Sequence, residues 1–246
     1  IDTAYESGPV GDFITELLVS PMYGLPQAEG KFNVSTVPHA GFKDILKRAT
    51  NIIVINIRRG GESKFQISDN KWAKGQTVLN ISGSSVKNVR TILEQNAEAI
   101  LDLFKQKELD RRKAHLKQFP NTSLVALMKE KYSLSMSVSS DFEIIDSSDT
   151  GFWMKSEKMV GGHQVIQGII VNLQPYTSSD IFSSEEMLLS RDELTKGYIT
   201  GMGEGSFMKV FSEYPLKADT AKVNGLYAVE YRGLWNMKND FMGGPF

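Results

Sequence analysis

Tyr227 to Phe246 reads YAVEYRGLWNMKNDFMGGPF. The segment opens with the alternation of a strand, in which side chains at i and i+2 share a face. Leu226, Ala228, Glu230, Arg232 and Leu234 therefore point one way, and Tyr227, Val229, Tyr231 and Trp235 the other. One face is aromatic and apolar; the other carries a charge pair between apolar ends. Charges within an apolar strand are costly to bury unless paired. Glu230 and Arg232 thus either tie the strand to a neighbouring loop or leave Arg232 to offer its planar fork to an anionic ligand. Gly243-Gly244-Pro245 predicts a tight turn with backbone angles that glycine takes readily. Glu230, Arg232, Trp235, Gly243 and Gly244 are the candidate ligand-binding residues.

Working outward, the chain is 246 residues long, enough for one large domain or two smaller ones at roughly 100–200 residues each. Its composition is that of an ordinary globular protein. The net charge of −1 argues against a nucleic-acid binder, which usually carries a strongly basic domain. No apolar run approaches the ~20 residues of a membrane helix; Asn51–Ile57 is the longest candidate. Cysteine is absent, which removes disulfides, thiolate zinc sites, iron–sulfur clusters and cysteine nucleophiles. The three histidines, His39, His115 and His163, are far apart in sequence. No metal site and no cofactor is expected. The chain opens at IDTAY without a signal peptide and stops after MGGPF, so both ends are expected to continue.

Pro9 to Val19 reads as a helix, with Ser7 or Gly8 as cap, Pro9 at the first helical position and Phe13, Leu17 and Leu18 as its stripe. Met22 to Gly30 is a loop, Phe32 and Val34 predict a short strand, and His39 to Ala49 a second helix. Asn51 to Ile57 (NIIVINI) is β-branched and apolar on both faces, as a central buried strand should be. Ser63–Ile67 is its expected partner, and Lys74–Ser82 alternates better and predicts another strand. Ser84 to Gln118 predicts one long helix, since Val86, Val89, Leu93, Ala97, Ile100 and Phe104 step by three and four. Its basic end, Lys105 to Gln118, fits a solvated helix terminus complementing the dipole; nucleic acid or an anionic surface is the alternative.

Phe119-Pro120-Asn121-Thr122-Ser123 breaks the pattern and divides residues 1–119 from 120–246. Ser123 is expected to cap a short helix through Lys131. Strands are expected at Ser133–Val138, Phe142–Asp146, Gly151–Glu157, Val165–Leu173, Ser206–Glu213 and Val223–Trp235, with a helix at Ser184–Tyr198. The fold class is therefore α+β: mainly antiparallel sheets with helices on one face, in two α/β-sandwich-like subdomains.

Catalytic patterns are thin. Gly201-Met202-Gly203-Glu204-Gly205-Ser206 has the spacing G-x-G-x-G, lies after a helix and before a strand, and so reads as a turn rather than a dinucleotide loop. No G-x-S-x-G elbow occurs. His163, after Gly161-Gly162, is a candidate general base only if the fold brings it an acid and a serine. Arg191-Asp192, with Glu185, Glu186 and Glu193, offers carboxylates for glycoside hydrolysis, which needs two of them across a cleft. No residue is assigned a catalytic role.

RGLW (Arg232–Trp235) followed by MGGPF (Met242–Phe246) resembles the most recognisable pattern of the domain of unknown function 4837 family, envelope lipoproteins of Bacteroidetes. GLPQ (Gly24–Gln27), NIIVINI, GFWMKSE (Gly151–Glu157), SRD (Ser190–Asp192) and GSFM (Gly205–Met208) are similar to it in the same order. The resemblance implies a periplasm-facing or surface location and a lipidated cysteine before Ile1, so that membrane contact comes only through a lipid anchor absent from this chain. It implies that the family pattern extends beyond Phe246, and no activity or catalytic residue. The expectation is an envelope lipoprotein that binds or supports an envelope protein or glycan without catalysis; the alternative is a glycan-directed hydrolase using these carboxylates or His163.

Overall fold

Three helices and three strands form the first of two compact units in the computed structural model, which describes residues 7–246. This unit contains the chain up to Met22 and Glu29–His115; the second contains Tyr23–Ala28 and Leu116–Phe246. Helix α1 (Pro9–Val19) starts with proline at its first position and buries Val10, Ile14 and Leu18, each four residues from the last. Strands β1 (Asn51–Ile57), β2 (Lys64–Asp69) and β3 (Thr77–Gly83) make a sheet of order β1-β3-β2. β1 runs parallel to β3 and β2 antiparallel to it. Helices α2 (Val86–Gln95) and α3 (Ala97–Gln118) follow, and α1, α2 and α3 bury Leu18, Leu93 and Phe104 against Ile55, Leu79 and Ile81 of the sheet.

Four expectations are corrected here. The single helix from Ser84 breaks at Asn96 (φ −116°, ψ 13°), whose amide Nδ2 donates to Ile92 O at 2.7 Å. Ile100 N–H still reaches Asn96 O at 2.9 Å, which is why the apolar spacing runs through the break. Among the described residues β1 is at the edge of the sheet; the centre belongs to β3, whose Val78, Leu79 and Ile81 are fully buried. Apolar residues on both faces report burial of side chains, not pairing of both main-chain edges. His39–Ala49 is not a helix but two 3-10 turns, His39–Gly41 and Asp44–Arg48, interrupted where Asp44 takes φ 46°. Phe32 and Val34 form no strand among the described residues; Phe32 lies in a bend, its N–H donating to Leu18 O at 2.9 Å.

The second unit begins its helices with α4 (Thr122–Tyr132), capped by Asn121 rather than Ser123, since Leu124 N–H donates to Asn121 Oδ1 at 3.2 Å. Ser133–Val138 is not a strand: Ser133 closes α4 in the left-handed region (φ 55°) and Leu134 N–H donates to Met128 O at 3.1 Å. Strands β4 (Glu143–Ser147), β5 (Gly151–Val160) and β6 (His163–Asn172) form an antiparallel sheet in that order. Gly161 and Gly162 turn the β5–β6 hairpin at φ 58° and 83°, the conformation a two-residue primed turn requires. Phe152 and Met154, on one face of β5, pack with Met128, Tyr132 and Val138; Trp153 points to the other face.

Helix α5 (Ser184–Tyr198) is capped by Ser183, whose hydroxyl accepts Glu186 N–H at 3.2 Å while its own N–H donates to Asp180 O at 2.8 Å. β7 (Phe207–Val210), β8 (Lys217–Val223), β9 (Leu226–Arg232), β10 (Leu234–Lys238) and β11 (Gly243–Pro245) complete the unit as a β8-β9 hairpin and a sheet of order β11-β10-β7. The expected strand Val223–Trp235 is thus three pieces, divided by the Asn224-Gly225 turn and at Gly233. β8, polar along most of its length, has no apolar alternation to betray it. Gly243-Gly244-Pro245 is a strand, not a turn, and neither glycine has a positive φ. Helices packed with predominantly antiparallel sheets make the fold α+β.

Candidate functional site

A cavity of about 510 Å³ lies beside β1 in the first unit. β1 residues Asn51–Ile55 form one wall. The core residues Ile14, Leu18 and Phe104 line the cavity as well. Phe32 to Val37 line it too, and His39 and Leu46 from the two 3-10 turns, with Phe42 between the turns, border it. Two edge-to-face ring pairs hold its aromatic parts: Phe32 on Phe104 at 6.2 Å and Phe42 on Trp72 at 5.3 Å between centroids.

Three polar groups frame this space. Gln76, 1% exposed, donates Nε2 to Lys47 O and Ala49 O, both at 2.7 Å, and accepts Trp72 N–H at 3.1 Å. One buried amide therefore straps the Asp44–Arg48 turn to the start of β3. Asn51 Nδ2 donates to Glu108 Oε1 at 2.8 Å, while Arg111 Nη2 donates to the same oxygen at 2.6 Å and to Asn51 Oδ1 at 2.8 Å. This triad joins α3 to β1 where Glu108 and Asn51 line the cavity. His39 Nε2 lies 2.8 Å from Ile55 O on the outer edge of the strand. Arg111, together with Lys107 bonded to Asp69 at 2.7 Å, shows that part of the basic end of α3 ties the helix to the sheet. Sequence reading missed Phe32, Phe42, Gln76 and Glu108 as site residues. They come from distant stretches and no spacing links them.

The residues singled out near the C-terminus lie in the second unit. Arg232 Nε and Nη2 both donate to Glu230 Oε1, at 2.9 and 2.6 Å, with the two side chains 44% and 49% exposed. The fork is thus engaged by its neighbour at the surface of the β8-β9 hairpin. Trp235 is on β10, opposite Gly244 in register. A Cβ on Gly244 would stand 3.0 Å from the indole nitrogen, and one on Gly243 3.0 Å from Trp235 O. These glycines permit close approach, not unusual angles.

The motif stretches of this unit interlock. The Arg191 guanidinium lies 3.9 Å from the centre of the Phe246 ring and its Nη2 3.7 Å from Met208 Sδ. Burial lowers its proton affinity, opposed by the charge of Asp192. Asp192 Oδ1 accepts Val210 N–H at 2.6 Å and Thr195 Oγ1 donates to Met208 O at 2.9 Å, so α5 is riveted to β7. Gly233 leaves room for Phe246, and Gly24 lies against Arg232 and Gly233. Of the hydrolytic candidates, His163 is exposed at the hairpin turn, Asp192 is occupied by β7, and Glu185, Glu186 and Glu193 are exposed. In the Gly201–Ser206 turn, Gly201 N–H donates to Ser206 O at 3.2 Å and Ser206 N–H to Gly203 O at 3.0 Å. Among the described residues no group of three or more His, Cys, Asp and Glu gathers as for a metal, and no helix is long and apolar enough to cross a membrane.

Architecture and cavity define an α+β protein of two units, the first with a ligand-sized hollow beside β1. The family of the domain of unknown function DUF4837 matches residues 121–246, half of the chain, and the chain belongs to it. Residues 1–117 match a second domain of unknown function, DUF8532. No curated protein and no solved structure matches the chain.

Proposed function

We propose that this chain is a non-catalytic binding module of the cell envelope, a lipoprotein of Bacteroidetes whose ligand occupies the cavity beside β1. The envelope placement and the lipid anchor rest on the resemblance carried by the RGLW and MGGPF stretches. The cavity is the observation that carries the binding role. Ligand pockets are typically about 300–1,000 Å³, mostly apolar, with a few placed polar groups. Ile14, Leu18, Phe32, Phe42, Ile53 and Phe104 supply the apolar lining here, and His39, Asn51 and Glu108 the polar groups.

A thermal-shift screen of apolar acids, peptides and envelope glycans tests the binding role. A ligand at ~100 times its dissociation constant adds about 2.7 kcal/mol to stability. The expected result is a shift with an apolar class that disappears in a Val34→Trp variant, in which the indole fills the cavity. A shift that persists in this variant moves the site elsewhere, to the Glu230–Arg232 surface first. Labelling of the full-length protein in cells with a clickable fatty acid tests the anchor; absence of label overturns it.

A further inference from the structure

Two apolar side chains of the second unit stand almost wholly in solvent. Met202 and Phe241 are 98% and 95% exposed, more than any other large apolar residue described. Met202 lies in the glycine-rich turn 201–205 between α5 and β7, and Phe241 in residues 239–242 between β10 and β11. The two turns touch. A Cβ on Gly201 would stand 2.8 Å from Asp240 Oδ2, and one on Gly203 3.3 Å from Asn239 O, so the missing side chains let them meet. Each turn closes on itself: Ser206 N–H donates to Gly203 O, Phe241 N–H to Asp240 Oδ1 at 2.8 Å, and Met237 N–H to Met242 O at 2.8 Å. At their base Phe207 pairs with Lys238 across β7 and β10. The ammonium groups of Lys196 and Lys238 lie 5.3 and 5.4 Å from the centre of the Phe207 ring. Neither lysine is in an ion pair among the described residues. Glu204 and Asp240 are the acids of the two turns, so lysines and acids together leave this crest close to neutral.

An apolar crest of this shape matches few partners. Glycines flank Met202 on both sides, so no rim of side chains surrounds it to exclude water, as the core of a protein interface requires. A fluid bilayer needs no such rim, because its chains close around whatever enters. It does require that main-chain groups entering it be satisfied already, as they are in the bonds from Ser206 to Gly203 and from Phe241 to Asp240. It also favours cations that keep apolar stems against the inserted part and ammonium groups among the phosphates, the placement of Lys196 and Lys238. We infer that Met202, Phe241 and the half-exposed Met242 insert into the surface of a phospholipid bilayer, so that the folded chain itself touches a membrane. This contact is separate from the cavity and adds to the lipid anchor that the resemblance implies. The glycines whose spacing is wrong for a dinucleotide loop thus frame a membrane-inserting turn.

The test uses vesicles of phosphatidylcholine and phosphatidylglycerol with residues 1–246 and no lipid anchor. The chain has no cysteine, so Met202→Cys and Phe241→Cys each carry one environment-sensitive fluorophore at a known place. Lys113→Cys, exposed on α3, is the reference. Expected are co-sedimentation of the unlabelled chain with the vesicles, a blue shift at positions 202 and 241, and none at 113. Phe241→Ser and Met202→Ser should each lower the partition coefficient at least tenfold, through the loss of one buried apolar side chain, and leave the melting temperature unchanged. A parent chain that stays in the supernatant overturns the inference. So does a blue shift at position 113, which means adhesion without a preferred face, or binding that both serine variants keep. Self-association of the parent that Phe241→Ser abolishes, without vesicle binding, would make the crest a protein interface and overturn it as well.

Discussion

Arg191 lays its guanidinium on the ring of Phe246, 3.9 Å from the centroid, while its Nη1 is buried without a hydrogen-bond partner. Residues from the SRD and MGGPF stretches thus meet through a stacked cation, with Met208 of the GSFM stretch at its side. The stack depends on a flat, weakly hydrated cation, a property that lysine lacks.

Arg191→Lys is therefore expected to destabilise the chain more than Arg191→Met. Methionine keeps the contact with Phe246 and Met208 and removes the desolvated charge, so its effect should stay within about 1 kcal/mol or be favourable. Urea denaturation of both variants decides it. A methionine variant weaker than the lysine variant would mean that the charge itself stabilises the fold.

Gln76→Leu removes the donors to Lys47 O and Ala49 O and the acceptor for Trp72 N–H. Buried polar groups left without partners cost about 1–3 kcal/mol. We expect about 2 kcal/mol by denaturation and faster amide exchange in the Asp44–Arg48 turn. Unchanged exchange there would show that the turn is held by something other than Gln76.

Arg232→Ala breaks an ion pair open to solvent on both sides, and such pairs contribute about 0–1 kcal/mol. The melting temperature should hardly move. A large loss would make the pair part of the framework that also contains Gly24 and Gly233.

Asp141 brings a pH dependence. Its carboxylate accepts hydrogen bonds from the hydroxyls of Ser139 and of the buried Ser156, the latter at 2.6 Å, and Lys158 lies 3.6 Å away. These hold its pKa at about 2, below the ordinary 3.8, with the Ser139 bond as the largest cause. A folded-state pKa below the unfolded value gives stability that is complete above the ordinary pKa and is lost as pH falls through the folded one. Between pH 5 and pH 2 the melting temperature of Asp141→Asn should therefore fall less steeply than that of the parent. Parallel curves would remove Asp141 from the acid response.

Much of the fold was legible because its causes are local. Pro9 at the first position of α1 acts within one helical turn, whereas of the stripe expected there, Phe13, Leu17 and Leu18, only Leu18 is buried, with Val10 and Ile14 instead. Motif reading also reached the family, since RGLW and MGGPF keep their identity whatever surrounds them. It assigned the Gly243-Gly244 pair a wrong reason, however. The spacing of two glycines is the same whether they bend a turn or let Trp235 lie close, and only the partner strand distinguishes the two.

The cavity was not legible at all. Its wall takes Phe32, Asn51 and Phe104 from three separate stretches, and its character depends on β3 rather than β1 occupying the centre of the sheet. NIIVINI and TVLNISG are both apolar enough for that place. Hydrophobicity along a chain sets how strongly each strand is driven inward, and that drive has no direction. Hydrogen bonds do have direction, and because β3 pairs with both β1 and β2 among the described residues, the space beside β1 was settled by contacts between residues far apart in the chain.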